Sequence, residues 1–190
     1  MINHFLQEWD TPFGSPPFDK IDISHYKPAI REAIRIASGE IKAITHNTEP
    51  PDFNNTIAAL EKSGEIIGKI TSVLFNLNSA ETTKELQAIA REVSPLLTRF
   101  SNDITLNKKL FHRVRQIFET RENTGLNTGQ KILVEKKQRS FVLGGAGLKE
   151  KEKKRFREIS EELATLSLKF DENVLEETNS FELHLTDKDD

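Results

Sequence analysis

The 190-residue chain is predicted to be all-α, an antiparallel bundle of about six helices with an extended N-terminal arm and a short C-terminal strand. Three observations lead to this prediction. Apolar residues recur at helical spacing through most of residues 26–179. The composition, 36% hydrophobic and 30% charged residues, fits amphipathic helices and is too apolar for disorder. A period of two occurs at 180–186, which indicates a half-buried strand.

The first 25 residues are predicted to form the arm, because residues 11–18 contain three prolines and a glycine. We expect Phe13 and Phe18 to pin this arm onto the helices that follow.

The first helix is predicted to begin near Tyr26, with Ser24 as its N-cap, and to end at 47–52. Its buried stripe is predicted to contain Ile30, Ile34, Ala37, Ile41 and Ile44.

The second helix is predicted to start after Asn54 or Asn55. Gly64 lies on its apolar side, and a glycine inside a helix is best explained by the close approach of another helix. The inner face is predicted to contain Ile57, Leu60, Ile67, Leu74 and Leu77.

A third helix follows a cap at Thr82 or Thr83, and Pro95 is expected to kink or split it. A fourth helix follows Asn107 and ends by Gly125. Their apolar positions are Leu86, Ile89, Val93, Leu97, Phe100 and Ile104 in the third, and Leu110, Phe111, Val114, Ile117 and Phe118 in the fourth.

A fifth helix is predicted over 128–142, a flexible break at Gly144–Gly147, and a long sixth helix over 149–177. The sixth helix is expected to face the bundle with Phe156, Ile159, Leu163, Leu166, Phe170 and Val174. The strand at 180–186 has no evident strand partner in the sequence.

Composition excludes several classes of function. The absence of cysteine excludes disulfides and thiolate chemistry. A formal net charge of -3 disfavours nucleic acid as a partner, and no apolar run approaches the roughly 20 residues of a membrane helix. The first ten residues do not resemble a secretory signal. We therefore expect a cytoplasmic protein, or a periplasmic one if a signal has been removed.

No residue can be assigned to catalysis, to a metal or to substrate binding. The chain contains no His-Glu-x-x-His sequence and no Gly-x-Ser-x-Gly sequence. Its histidines are better interpreted as ordinary surface or interface residues. One of them, His112, is expected to pack against apolar neighbours. The five histidines are His4, His25, His46, His112 and His184.

Three other features have a chemical and a structural interpretation. The carboxylate pairs Glu161-Glu162 and Glu176-Glu177 are expected to lie on a solvated helix face, because sequence neighbours point about 100° apart. Gly144–Gly147 precedes a helix, as in some anion sites, but a hinge is favoured. Lys149–Arg157 is basic, yet its glutamates favour an exposed helix face over nucleic-acid binding.

Several stretches taken together resemble the thimet oligopeptidase family of zinc metallopeptidases, and most of all its peptidyl-dipeptidase branch, which is related to oligopeptidase A. The matches run in order along nearly the whole chain. They are Trp9–Gly14, Pro17–Ile21, His25–Ala29, Phe53–Ile57, Leu60-Glu61, Ser63-Gly64, Asn102–Ile104, Leu106-Asn107, Leu110-Phe111, Arg113-Val114, Arg139–Val142, Gly145-Ala146, Asn173–Leu175, Thr178-Asn179 and Phe181.

The resemblance implies a longer, largely helical enzyme that encloses a channel with zinc at its floor. Zinc would be held there by a His-Glu-x-x-His helix and a later glutamate, none of which this sequence contains. Such an enzyme acts on short peptides, and the peptidyl-dipeptidase branch removes C-terminal dipeptides. The chain would supply a wall or lid, with residues 180–190 leading into a missing catalytic domain.

We therefore expect no zinc and no peptidase activity in the chain itself. Its partners would be the missing catalytic domain of the same protein and, in the parent, short peptides. Apolar side chains that face the missing part would be exposed, so the fragment is expected to self-associate, through the strand at 180–186 among other surfaces. The alternative is a stand-alone helical interaction module without enzyme activity.

Overall fold

A computed structural model describes residues 2–183 and confirms the predicted all-α bundle. Six helices of 13 to 31 residues and one short helix make up the described part of the chain. The helices are α1 (Ile23–His46), α2 (Ala59–Lys62), α3 (Glu65–Ala80), α4 (Lys84–Thr105), α5 (Lys108–Thr120), α6 (Thr128–Leu143) and α7 (Glu150–Ser180).

Helix α1 is the central element, because its two halves belong to two different hydrophobic cores. The first half packs with α3 and α4, and the second half packs with α2 and α5. The predicted α1 stripe is confirmed, with Ile30, Ala37, Ile41 and Ile44 buried. The first core contains Phe5, Tyr26, Ala29, Ile30, Ala33, Ile70, Val73, Leu74, Leu86 and Val93. The second contains Ile41, Ile44, Ile57, Leu60, Leu110, Val114, Ile117, Val134, Phe141 and Ala146.

The N-terminal arm is held by residues other than the predicted phenylalanines. Phe5 is 1% exposed, and its ring lies 4.7 Å from the ring of Tyr26. The Trp9 ring contacts Phe5 and lies under the Lys69 ammonium group, 3.9 Å from the ring centroid. Phe13 is fully exposed and Phe18 is 58% exposed, so the prediction that they pin the arm is wrong. The short turns His4–Leu6 and Pro12–Gly14 interrupt the expected extended conformation.

The beginning of α1 differs from the prediction by one turn. The Asp22 carboxylate accepts a hydrogen bond from the Ser24 amide at 2.8 Å, and the Asp22 amide donates to His25 Nδ1 at 3.1 Å. These two bonds satisfy amides that the first turn leaves unpaired, so the helix begins at Ile23. Ser24 is therefore a residue of the first turn, and Asp22 is the N-cap.

The predicted second helix is broken at Gly64. A π-helical turn, Phe53–Ala58, continues into α2, and α3 starts after Gly64. Gly64 has φ 78°, a left-handed conformation that glycine adopts without strain. A Cβ at this position would meet only Ile67 Cδ1, at 4.0 Å, so the predicted close approach of another helix is wrong.

Helix α4 starts at the predicted cap, where the Leu86 amide donates to Thr83 Oγ1 at 3.1 Å. It continues through Pro95 to Thr105, so the predicted split does not occur. Proline removes only one backbone hydrogen bond, and the apolar face of α4 packs on both sides of it. Asn107 caps α5 as predicted, by accepting from the Leu110 amide at 3.0 Å.

Gly144–Gly147 is a packed helix end and not the predicted flexible break. The Ala146 amide donates to Phe141 O and the Gly145 amide to Val142 O, with Gly145 at φ 84°. This is the hydrogen-bond pattern of a Schellman cap. Ala146 is 3% exposed and belongs to the second core, which fixes the turn.

The predicted C-terminal strand is absent from the residues that the structure describes. Helix α7 includes Ser180, and residues 181–183 are neither helix nor strand. The rest of the predicted strand, 184–186, lies outside the described residues, as does His184. No segment of residues 2–183 forms a strand that could pair with 181–183.

A buried arginine, Arg113, joins α5 to the connection after α1. Arg113 is only 7% exposed. Its guanidinium group donates to Thr56 Oγ1 at 3.1 Å and to Asn55 Oδ1 at 2.8 Å. A third nitrogen donates to the carbonyl oxygens of Asn47 and Glu49, at 2.9 and 3.2 Å. The guanidinium group therefore joins α5 to two side chains and two backbone carbonyls, and the Thr56 hydroxyl among these acceptors is fully buried.

We expect Arg113→Met to lower the free energy of unfolding by about 2–4 kcal/mol, because it removes a hydrogen bond to the buried Thr56 hydroxyl and three to part-buried oxygens. Arg115→Met is the matched control on the same helix. Arg115 is exposed and pairs with exposed Glu119 one turn away, so its replacement should change stability by less than about 0.5 kcal/mol. Urea unfolding of both variants measures the difference, and equal effects would show that the buried network does not stabilise the fold.

We expect Gly144→Ala to destabilise the chain by about 1–3 kcal/mol, because its Cβ would lie 2.2 Å from Thr105 Cγ2 and 3.0 Å from Ser140 O. Gly39→Ala is the same change on the exposed side of α1, where nothing lies within 4 Å. That variant should gain about 0.5–1 kcal/mol from helix propensity. Thermal unfolding should therefore give melting temperatures that shift in opposite directions.

Candidate interaction surface

Helix α7 lies antiparallel along α4 and contacts it through a row of polar side chains. At its start, Lys153 is 5% exposed and its ammonium group donates to Leu106 O at 2.8 Å. Burial lowers the pKa of Lys153. One turn later, the Arg157 guanidinium group donates to the Asp103 carboxylate at 2.7 Å. Two members of the basic segment Lys149–Arg157 therefore face the bundle, which corrects the prediction of a wholly exposed face.

The same row continues through the middle of α7. Arg99 donates two hydrogen bonds to one carboxylate oxygen of Glu161, at 2.9 and 3.0 Å, and it holds the pKa of Glu161 below its ordinary value. Arg91 donates hydrogen bonds to both carboxylate oxygens of Glu172 at 2.7–3.1 Å, and the Glu172 side chain is only 9% exposed. Leu168, 8% exposed, lies between these two pairs. We call this row the α4–α7 seam.

The opposite side of α7 is apolar and exposed. We call it the α7 apolar face, and it consists of Ile159, Leu163, Leu166, Phe170 and Val174. Each of these side chains is 48–66% exposed. They were predicted to face the bundle, and the structure contradicts that prediction, because α7 turns its charged side toward α4. Successive residues are about 100° apart, so the seam and the apolar face lie on nearly opposite sides of the helix.

The seam leaves one signal in the sequence, the order of its charged residues. Arg91, Arg99 and Asp103 follow one another along α4 in the order opposite to their partners Glu172, Glu161 and Arg157 on α7. That order is the signature of an antiparallel pair of helices. Periodicity of apolar residues, in contrast, reports which face needs to be covered and not which face the bundle covers.

The four described histidines do not come together as ligands. The ring centroids of His4 and His25 are 6.4 Å apart, and His25 Nδ1 is occupied by the cap of α1. His46 contacts Lys42 O at the end of α1. His112 is exposed, so its predicted packed position is wrong. The buried polar residue of α5 is its neighbour Arg113.

The adjacent carboxylates also have separate surroundings. Glu161 belongs to the seam, which contradicts its predicted place on a solvated face, whereas Glu162, Glu176 and Glu177 are exposed as expected. Within residues 2–183, no three histidine or acidic side chains are grouped so that they could hold a metal ion. None of the helices described is long and apolar enough to cross a membrane.

Comparisons with known proteins agree on one family. Residues 30–154 match the N-terminal domain of neurolysin/thimet oligopeptidase. The chain is 40% identical over 186 residues to dipeptidyl carboxypeptidase of Escherichia coli (strain K12), which covers 98% of this chain and 27% of that protein. It is 31% identical to a probable cytosolic oligopeptidase A of Arabidopsis thaliana, covering 98% of the chain and 26% of that protein. With oligopeptidase A of Escherichia coli (strain K12) it shares 29% identity over 178 residues, 94% of the chain and 26% of that protein. The chain thus spans about a quarter of the length of these curated relatives.

We expect Lys153→Ala to destabilise the chain by about 1–3 kcal/mol, because it removes a buried hydrogen bond and the packing of the lysine stem. Lys154→Ala, at the exposed neighbouring position, is the control and should change stability by less than about 0.5 kcal/mol. Urea unfolding with hydrogen exchange of the α7 amides measures both effects. Equal protection in the two variants would contradict a role for Lys153 in holding α7.

The effect of Lys153→Ala should also depend on pH. Burial lowers the pKa of Lys153 below the ordinary value of 10.5, so the unfolded chain binds this proton more tightly than the folded chain. The stability of the unaltered chain relative to the variant should therefore rise as pH increases through the lowered pKa toward 10.5. A difference that shrinks over this alkaline range would contradict the burial of the charged group.

Proposed function

This chain is an N-terminal domain of the neurolysin/thimet oligopeptidase family, and on that premise we propose that it works as part of a zinc-dependent peptidase that removes dipeptides from the C-terminus of short peptides. The observation that carries the proposal is the 40% identity to a dipeptidyl carboxypeptidase over 98% of this chain. Identity to the dipeptidyl carboxypeptidases, 39–40%, exceeds the 28–31% found with the oligopeptidase A proteins compared, which favours the former activity.

In this proposal the chain shapes the enzyme and another part of the protein performs the hydrolysis. The sequence contains no His-Glu-x-x-His segment, so zinc is assigned to residues outside this chain. The helices would form a wall or lid of the channel that admits short peptides. We propose the cytoplasm as the compartment, with the periplasm as the alternative.

The α7 apolar face supports this division of labour. Five apolar side chains, each at least 48% exposed, form a continuous stripe about 22 Å long from Ile159 to Val174. Contiguous apolar stripes of this kind mark interaction surfaces on folded proteins. In the parent protein, we propose that the remaining part of the peptidase packs against this face.

The test compares the 190-residue chain with its longer parent protein on unlabelled peptides of four to six residues, with products identified by mass spectrometry. The parent is expected to release C-terminal dipeptides, to lose that activity with a zinc chelator and to regain it with added zinc. The isolated chain is expected to release none. Chelator-sensitive cleavage by the isolated chain would overturn the assignment of zinc to the rest of the protein.

A stop codon directly after Asp190 in the gene would favour the alternative, a stand-alone helical interaction module, whereas a reading frame that continues into a His-Glu-x-x-His helix would favour the peptidase. Two variants of the parent test whether the α7 apolar face is covered there. Leu163→Gln/Leu166→Gln in the parent is expected to lower its melting temperature and activity together, whereas Ile132→Gln, at a similarly exposed site on α6, should change neither.

A further inference from the structure

We propose that the 190-residue chain on its own pairs with a second copy of itself through the α7 apolar face, with the two α7 helices antiparallel. The proposal concerns this chain alone and does not require the peptidase function to hold. It replaces the C-terminal strand as the expected route of self-association, because residues 180–183 form no strand.

The first argument is that α7 has an apolar face on the side that the bundle leaves free. The seam fixes the rotation of α7 about its axis through Lys153, Arg157, Glu161 and Glu172. Since these groups have their partners on α4 or at its end, α7 cannot turn its apolar stripe inward without breaking them. Leu163, 61% exposed, and Phe170, 66% exposed, therefore remain available to an external surface.

The second argument is the distribution of charge along the helix. Apart from the seam residues, residues 149–157 contain four lysines and arginines and two glutamates, whereas residues 171–177 contain three acidic residues and no basic one. Two parallel, in-register copies would place like charges together. An antiparallel pair instead places the basic end of each helix beside the acidic end of the other, so the face is complementary to itself, as a two-fold interface requires.

The third argument is register. A two-fold axis between positions 164 and 165 places Ile159 opposite Phe170 of the second copy, and Leu163 opposite Leu166. The same register brings exposed Glu162 near exposed Lys169, at the edge of the stripe. Farther out, Lys151 and Arg155 lie near Glu176 and Glu177 of the second copy. Apolar and charged positions match in one arrangement.

Sedimentation equilibrium of the chain from about 1 to 200 μM tests the pairing. We expect a monomer–dimer equilibrium whose Kd rises at least about 100-fold in Leu163→Gln/Leu166→Gln, since both side chains of both copies lose apolar contact. Ile132→Gln, on an apolar residue of α6 with 47% exposure, should leave the Kd unchanged. A monomer throughout this range overturns the proposal, as does a dimer that the double variant leaves intact.

Charge exchange tests the direction of the helices. Lys151→Glu/Arg155→Glu should weaken the dimer, and so should Glu176→Lys/Glu177→Lys. Combining all four substitutions should restore the dimer, because each exchanged end then meets its opposite in the second copy. Failure of the combined variant to recover would overturn the antiparallel arrangement.

Spin labels give an independent measure of direction, since the chain has no cysteine of its own. A label at Thr178→Cys should lie about 40 Å along the helix axis from its counterpart, from 27 residues at 1.5 Å each. A label at Ser167→Cys, near the two-fold axis, should give a much shorter distance. Two short distances would indicate parallel helices and would contradict the proposal.

Discussion

The charged seam between α4 and α7 determines which side of the longest helix meets solvent. Four polar groups of α7 reach partners at α4, and one of them, Lys153, is almost completely buried. Isolated pairs of this kind contribute little to stability, so the seam is better understood as a device that sets orientation. Because removing one buried partner costs more than the pair contributes, rotating α7 would leave Lys153 and Glu172 without the groups that satisfy them.

The consequence is an apolar face held away from its own bundle. Fully burying a large apolar side chain stabilises a protein by about 1.5–3 kcal/mol, so five that are about half exposed leave roughly 4–8 kcal/mol unused. That amount is comparable to the whole stability of a typical domain, roughly 5–15 kcal/mol. Binding of a partner that covers the α7 apolar face therefore has a substantial driving force, and the fold holds this face at a fixed position.

The position of that face depends on both cores. Helix α1 belongs to both, α4 extends from the first core, and its last residues lie beside the Gly144–Gly147 turn of the second. Leu106, which accepts from Lys153, stands at the junction of α4 and α5. The start of α7 is thus fixed where the two halves of the bundle meet.

Much of this architecture could be predicted from apolar spacing and caps. The stripes on α1 and α5, and the caps Thr83 and Asn107, were confirmed because each depends on local sequence. The errors arose where a distant partner decides the outcome. His112 was expected to pack, but Arg113 takes the buried position because its acceptors lie after α1, 57 to 66 residues away. The apolar face of α7 was predicted to point inward for the same reason. The charged residues that turn the opposite side of α7 inward have partners on α4 that are 54 to 81 residues away in the sequence.

The segments that carry the family resemblance prove to be parts of the framework. Asn55 and Thr56, from one matching stretch, bind Arg113, from another, and Gly145-Ala146 forms the packed end of α6. Several described groups in these segments bind one another or the backbone, whereas others, such as Phe13 and Val174, are exposed. Resemblance over them therefore bears on the shape that presents α7. A framework of this kind makes its contribution by placing one apolar surface, with its charged ends, in a defined orientation.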